Sequence, residues 1–265
     1  MKLNIVPART GVKWVRTGLR TFGSRPLAFV SLFFFFMGLV SMASQIPWVG
    51  AVFALMLLPT MTLALMAAAA EADGPVRPAA GAVFQAAFKA IRSDVRPLLA
   101  LGALYAGLFL VVMAISALAD GGLFARAYLL GGPLTREVAE TTEFQVALWI
   151  SMGLYLPLSL AFWHAPALVH WHHVAPAKSL FFSFVACSRN FGALTVFGLV
   201  WLGLSLGAGI ALSLVAGVLV AVGAMGMDGG ATAVGGAVML GGALVVASVF
   251  FTSTWFTFRD CFTPD

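Results

Sequence analysis

Residues 27–70 decide the fold class of this chain. Leu27–Ser44 reads LAFVSLFFFFMGLVSMAS and Val49–Ala70 reads VGAVFALMLLPTMTLALMAAAA, with only QIPW between them. Each stretch is close to the roughly 20 apolar residues that a helix needs to cross the hydrocarbon core of a bilayer. Neither stretch contains Asp, Glu, Lys or Arg. The pair therefore predicts two transmembrane helices joined by a short turn.

Four further stretches of the same kind follow along the chain. They are Pro97–Ala119, Phe144–Val169, Phe191–Ala224 and Ala233–Phe258. The composition agrees, because 61% of the 265 residues are hydrophobic, 9% are charged and the mean hydropathy is +1.00. A soluble domain carries about 25% charged residues to cover its surface. We predict an all-α fold, a polytopic membrane helix bundle with six transmembrane helices.

The positions of the lysines and arginines predict the orientation of this bundle. Of the 15 basic residues, all but Arg126 and Arg136 fall in the termini or in the connections that follow even-numbered spans. Cytoplasmic connections carry such an excess of basic residues. We therefore expect a multi-pass protein of the bacterial inner (cytoplasmic) membrane with both termini in the cytoplasm. This topology accounts for the net charge of +5, so the charge does not indicate nucleic-acid binding.

A basic, amphipathic stretch precedes each odd-numbered span, in a pattern typical of helices that lie in the headgroup plane. We expect three interfacial helices on the cytoplasmic side, within a single membrane domain that covers residues 1–265. The pattern also suggests three parallel repeats, each with one interfacial helix and two spans. The repeats would cover residues 9–70, 78–170 and 175–258. The alternative is that basic stretches of this kind are common on the inner face of bacterial membrane proteins.

Two sets of residues are candidates for contacts with lipid or with other helices. The amino-terminal basic arm is expected to face anionic phospholipid, with about 1 kcal/mol from each charge near the surface. Its cations are Arg9, Lys13, Arg16, Arg20 and Arg25. Small residues four apart let two helices approach closely, within the bundle or in a homo-oligomer. These pairs are Ala103 with Gly107, Gly203 with Gly207, and Ala237 with Gly241.

All four histidines lie in the segment His164–His173, at the predicted cytoplasmic end of the fourth span. Neutral imidazole is a common metal ligand, and residues three apart on a helix share a face. His170, His172 and His173 are therefore weak candidates for a metal or haem site. The competing interpretations are an interfacial belt of Trp and His rings at headgroup level and a titrating switch. We favour the belt and expect no cofactor.

The same segment carries a resemblance to a known family. It contains FW at 162–163, APALV at 165–169, WH at 171–172, KSLFFS at 178–183 and RN at 189–190. With these elements the chain resembles an uncharacterised family of multi-pass inner-membrane proteins from proteobacteria, mainly the beta group. The residues that carry the resemblance are Trp163, Pro166, Trp171, His172, Lys178, Arg189 and Asn190. That family has no established activity, so the resemblance implies location and architecture only.

The sequence favours a binding function over a catalytic one. It contains no His-Glu-x-x-His motif and no pair of acids within a span. Ion-coupled carriers place an ionisable residue at mid-membrane, and the six spans contain no charged residue. We predict a non-enzymatic protein that binds or scaffolds a partner membrane protein or a lipid. The alternatives are an uncoupled permease or channel for a small neutral or apolar solute, and a haem- or metal-binding membrane subunit that uses His164–His173.

Overall fold

The computed structural model describes residues 2–74, 76, 78–132, 134–223 and 233–263, and helices account for most of them. The elements are β1 (Lys2–Leu3), α1 (Thr10–Ser24), α2 (Pro26–Ser44), α3 (Gly50–Ala72), α4 (Ala80–Ser93), α5 (Val95–Asp120), α6 (Leu123–Leu130), α7 (Arg136–Ala139), α8 (Thr142–Trp163), α9 (Ala165–His172), α10 (Pro176–Arg189), α11 (Phe191–Ala221), α12 (Ala233–Cys261) and β2 (Phe262–Thr263). The all-α fold class is confirmed.

Six helical segments in the described residues are long and apolar enough to cross a membrane, which confirms the predicted spans. They are α2, α3, α5, α8 together with α9, α11, and residues 235–261 of α12. The fifth span is a single helix from Phe191 to Ala221, and its predicted end at residue 224 lies outside the described residues. The fourth span differs from the prediction, because it is broken at His164.

The three amphipathic helices are α1, α4 and α10, and each precedes an odd-numbered span as predicted. In the sequence, an arginine or a glycine lies close to the start of each following span. In the structure, α2 starts at Pro26 and α11 starts at Phe191. The order of one short helix and two spans therefore recurs three times along the chain. A structural relation between the three copies stays a prediction.

The chain forms two compact units. The terminal unit comprises Met1–Phe35, Ala64–Phe88 and Asn190–Asp265. In it, α1 packs against both α11 and α12, and β1 pairs with β2 in an antiparallel arrangement. The two ends of the chain are therefore held together within one unit.

The central unit comprises Phe36–Leu63 and Lys89–Arg189. Its main contact is between α5 and α8, and α10 packs against α8 and α9. Gly102 makes the closest approach, since a Cβ atom there would lie 2.4 Å from the carbonyl oxygen of Met56. The core of this unit is aromatic and aliphatic, with Tyr105, Phe109 and Phe162 among its buried members.

The short helix α6 folds back along α5 instead of extending away from it. Gly121 and Gly122 both have positive φ angles, of 67° and 88°, which glycine adopts at little cost. The carboxylate of Asp120 accepts the backbone N–H groups of Gly122 at 2.8 Å and Phe124 at 2.6 Å and so fixes the turn. As a result Tyr128 of α6 contacts Phe109, which lies about 16 Å before Asp120 along the helix axis. α6 therefore returns to the level of the middle of α5.

The connection after α6 contains the acid-rich segment and is solvent-exposed. The Thr135 hydroxyl accepts the backbone N–H of Val138 at 3.4 Å and caps α7. Thr141 caps α8 in the same way through the N–H of Phe144. Glu137 and Glu143 lie in the first turns of these helices, where the positive end of the helix dipole favours acids.

Candidate functional site

The break at His164 lies where Pro166 interrupts the fourth span. A proline has no N–H to bond the carbonyl four residues earlier, and its ring clashes with that carbonyl. α8 therefore ends at Trp163, and α9 starts at Ala165 with Pro166 in its first turn. In an unbroken helix the N–H of His164 would bond the carbonyl of Leu160.

Ser183 of α10 replaces that missing hydrogen bond. Its Oγ accepts the N–H of His164 at 2.9 Å and donates to the carbonyl of Leu160 at 2.8 Å. One hydroxyl thus bridges the two backbone groups that the break separates. Unsatisfied backbone groups are costly when buried, and Ser183 is fully buried. The side chain of Ser183 is therefore part of the backbone hydrogen-bond ladder of the fourth span.

This role of Ser183 orients α10. The buried face of the helix consists of small side chains, namely Ser179, Ser183, Ala186 and Cys187. The phenylalanines lie on other faces, and Phe181, Phe182 and Phe184 are exposed. Lys178 and Arg189, near the two ends of the helix, are exposed as well. The three phenylalanines therefore point away from the protein, whereas small side chains and part of Leu180 pack into it.

The histidines do not converge on one point. His170 Nδ1 lies 2.5 Å from Asp94 Oδ2, and the Ser93 hydroxyl donates to the same oxygen at 2.8 Å. This contact joins α9 to the residue that precedes α5. His164 is fully buried at the break, whereas His173 is exposed and ends α9 with a φ of 51°. No group of three His, Cys, Asp or Glu residues within the described ranges is arranged to hold a metal ion.

The basic arm is a packed helix with one exposed face. Its buried face contains Trp14, which is 0% exposed, and two glycines in close contact with other helices. A Cβ atom on Gly11 would lie 2.3 Å from the carbonyl oxygen of Ala193, and one on Gly18 would lie 2.4 Å from the Cβ of Ser253. α1 therefore fits closely against α11 and α12.

The predicted lipid-facing cations lie mostly on the other side of α1. Arg9, Lys13, Arg16 and Arg20 are exposed, and their spacing places them on one helix face. Arg25 is partly buried, and its Nε donates to the carbonyl of Pro78 at 2.7 Å. Four of the five cations are thus available to a surface outside the protein, and the fifth is engaged within the terminal unit.

Polar side chains fasten the ends of the chain in the terminal unit. The Trp14 indole N–H donates to Asp260 at 3.0 Å, and Arg259 pairs with both Asp260 at 2.9 Å and Asp73 at 2.6 Å. Asn190 accepts the N–H of Val6 at 2.8 Å and donates to the carbonyl of Asn4 at 3.0 Å. The two Asn190 contacts hold the segment before α1 against the start of α11.

A comparison with known proteins decides the family. The chain is 37% identical over 267 residues to a probable inner membrane protein of Burkholderia thailandensis, a betaproteobacterium, and the alignment covers 99% of this chain and 94% of that protein. The chain belongs to this inner-membrane protein family. It is an integral inner-membrane protein. No family model matches the chain, and no solved structure matches it.

The structure of this inner-membrane protein divides the residues behind the resemblance between the two units. Trp163, Pro166, Trp171, His172, Lys178 and Arg189 lie at the break and along α9 and α10 of the central unit. Asn190 belongs to the terminal unit, where it binds the segment before α1. The betaproteobacterial relative supports the predicted location, and the specific motif stays a prediction.

The predicted small-residue pairs of this inner-membrane protein lie on open faces. Cβ atoms added at Gly107, Gly203, Gly207 or Gly241 would meet no described atom within 4 Å, and Ala103 and Ala237 are exposed. The segment from 203 to 207 also matches Gly-x-Ser-x-Gly, but it is helical and lacks the strand-to-helix turn of a nucleophile elbow. Close packing at these pairs, within the bundle or in a homo-oligomer, stays a prediction.

Sequence reasoning missed the residues that make the closest contacts. Ser183 was part of a motif but had no role, and Asp94 was not considered as a partner for a histidine. Gly11, Gly18 and Gly102 are among the glycines at close helix contacts. Gly11 and Gly18 have no small residue four positions away, whereas Gly102 has one in Ala106. The proline after His164 was the one available signal, because it predicts a break whose backbone groups need a partner.

Proposed function

We propose that this inner-membrane protein binds anionic phospholipid on the cytoplasmic leaflet and has no enzymatic activity. α1 and α10 would provide the contacts. The distribution of the basic residues supports the orientation with both termini in the cytoplasm, since only Arg126 and Arg136 lie in connections of the other side. Arg77 belongs to the cytoplasmic set but lies outside the described residues.

The outward phenylalanines of α10 are the observation that carries the proposal. Phe181 is 65% exposed, and its neighbours Phe182 and Phe184 are exposed too. A short helix that follows the end of a span lies at the interface, where phenylalanine side chains insert into the acyl boundary. Lys178 and Arg189 then lie at the level of the headgroups. The arrangement matches an interfacial helix that contacts lipid directly.

The exposed face of α1 supplies the charge. Arg9, Lys13, Arg16 and Arg20 lie together, and each is expected to contribute about 1 kcal/mol to binding at an anionic surface. The exposed side chains of Val12 and Leu19 flank this row. The packed face of the helix fixes the backbone that carries the cations, so lipid binding has to order only their side chains.

A partner membrane protein, or a second copy of the chain, is a further expected contact. No described residue of α11 after Trp201 is buried, although Leu212 lies against Gly242 of α12. Gly203 and Gly207 leave a shallow face on this part of the helix. Small residues allow a second helix to approach closely in lipid. We propose this face as the position of such a contact.

The test replaces the charges and leaves the helix in place. A variant with Arg9, Lys13, Arg16 and Arg20 all changed to Gln should retain the fold, because these side chains are exposed. With about 1 kcal/mol from each charge, its affinity for phosphatidylglycerol should fall at least tenfold. Native mass spectrometry of protein from nanodiscs that mix phosphatidylglycerol and phosphatidylethanolamine measures the bound lipid.

The matched control replaces the two cations of the opposite side. Arg126→Gln with Arg136→Gln removes positive charge without touching α1 or α10 and should leave phosphatidylglycerol binding unchanged. Equal lipid retention in the fourfold variant and the parent protein would contradict the proposal. Raised ionic strength should weaken the binding of phosphatidylglycerol to the parent protein, and it should have a smaller effect on binding to the fourfold variant.

A further inference from the structure

All three tyrosines of the chain lie in one aromatic cluster of the central unit. The hydroxyl groups of Tyr105 and Tyr155 are 3.5 Å apart. The ring of Phe109 lies 5.7 Å from Tyr128 and 6.1 Å from Tyr155, measured between centroids. Tyr128 reaches this position only because α6 folds back along α5. The cluster therefore combines residues from three helices.

A cavity of about 250 Å³ lies beside this cluster. Phe109 and Met113 are buried and form its floor, whereas Tyr128, Met152 and Tyr155 are exposed and form its mouth. The floor lies on α5 and the mouth on α6 and α8, near the middle of two transmembrane helices. The cavity thus opens sideways from the central unit at the level of the bilayer.

The size and lining of the cavity indicate the chemistry of a ligand. A dry cavity of about 150 Å³ is large enough for benzene, so this one has room for a substituted six-membered ring. Its described lining contains no charged residue, and its surface is almost entirely apolar. A charged ligand would lose its hydration there without compensation. The ligand must therefore be neutral and largely apolar.

Two phenol groups provide the polar contacts. The Tyr128 hydroxyl can donate a hydrogen bond to an oxygen acceptor, and the Tyr155 hydroxyl can do so when the Tyr105 hydroxyl donates to it. The Ser151 hydroxyl, the other polar side-chain group of the lining, donates to the carbonyl of Ala147 at 2.9 Å. The aromatic rings around the cavity favour stacked or edge-on contacts with a further ring. A flat ring with a carbonyl oxygen satisfies both conditions, whereas an acyl chain satisfies neither.

We propose that this cavity binds the ring of a membrane-soluble quinone whose apolar tail extends through the mouth into the bilayer. The ring packs between Phe109, Tyr128 and Tyr155, and a ring carbonyl accepts a hydrogen bond from a tyrosine hydroxyl. α6 forms one wall of the site. This binding uses different residues from those proposed for anionic lipid, so the two proposals can fail separately.

The test is photolabelling of the full-length protein in phosphatidylcholine nanodiscs. The probe is an azido-benzoquinone with a ten-carbon tail, and mass spectrometry maps the labelled peptides. The proposal expects labelling of α6 and α8 that an excess of decylubiquinone displaces. Met152→Trp fills the mouth from its exposed side and should reduce this labelling at least fivefold. Tyr155→Phe should weaken the competition by decylubiquinone about three- to tenfold, the value of one hydrogen bond.

Matched controls separate specific binding from general insertion into lipid. Met239→Trp introduces the same side chain at an exposed position of α12 and should leave the labelling unchanged. Melting temperatures of all variants show whether they remain folded. Labelling that is equal in Met152→Trp and the parent protein would overturn the proposal.

A second arm tests an acyl chain as the occupant. Here the probe is a phosphatidylcholine with a diazirine in one chain, in the same nanodiscs. If this lipid labels the cavity and decylubiquinone does not displace it, the quinone proposal is wrong. Met152→Trp should retain as much phosphatidylglycerol as the parent protein, whatever the photolabelling shows.

Discussion

α1 of the terminal unit and α10 of the central unit are basic amphipathic helices of similar length, yet the protein packs them in different ways. α1 buries the aromatic ring of Trp14 and two glycines and exposes a row of cations. α10 buries two serines, an alanine and a cysteine and exposes three phenylalanines. α10 thus exposes its aromatic side chains and buries small ones, two of which are serines.

The difference shows that hydrophobicity alone does not select the buried face of a helix in this protein. α10 lies next to the break at His164, where two backbone groups need a partner, and a serine hydroxyl supplies it. α1 lies against continuous helices, where close packing of large and small side chains is favoured. Exposed phenylalanine also costs little when the surroundings are lipid and not water.

The largest expected effect is at the buried aromatic of α1. Trp14→Ala removes a fully buried ring and its hydrogen bond to Asp260, and should lower the free energy of unfolding by about 3–5 kcal/mol. An SDS titration in mixed micelles, followed by circular dichroism, measures the change. A loss below about 1 kcal/mol would mean that α1 is not packed as described.

The next effect tests the bridging serine of α10. Ser183→Ala leaves the N–H of His164 and the carbonyl of Leu160 without their bridge and should cost about 1–3 kcal/mol. Ser188→Ala, at an exposed position of the same helix, is the control and should have almost no effect. Equal stability of the two variants, by the same titration, would remove the hydrogen-bond explanation for the orientation of α10.

A pair of glycines in α1 tests its close packing. Gly18→Ala places a Cβ atom 2.4 Å from the Cβ of Ser253 and should destabilise the protein by about 1–3 kcal/mol. At Gly23 the described surroundings contain nothing within 4 Å of an added Cβ. Gly23→Ala should therefore raise stability by up to about 1 kcal/mol, because alanine favours the helix. The packing is supported if Gly18→Ala lowers the melting temperature and Gly23→Ala raises it. A change of the same sign in both variants argues against the packing.

The smallest effect on stability is expected at the exposed aromatic of α10. Phe181→Ala should change the free energy of unfolding by less than about 0.5 kcal/mol, since the ring has few contacts within the protein. The same variant should lose affinity for the membrane interface, which a comparison of lipid retention with Ser188→Ala detects. A large loss of stability would show that Phe181 packs against protein and not lipid.

Much of the fold could be predicted from the sequence, and the candidate sites could be predicted only in part. The spans follow from local runs of apolar residues. The exposed cations of α1 follow from their helical spacing. The contact of His170 with Asp94 and the meeting of three tyrosines could not be predicted, because they join residues far apart in the chain. The return of α6 depends on the Asp120 turn, whose direction the sequence pattern does not indicate.

By itself the order of amino acids determined that this chain crosses lipid six times and where it does so, because the free energy of transfer into a bilayer adds up residue by residue along a helix. Only the tertiary structure decided which side of α1 and α10 faces inward and which glycines touch another helix. Those choices depend on hydrogen bonds and steric contacts between segments, and such terms exist only once the helices have come together.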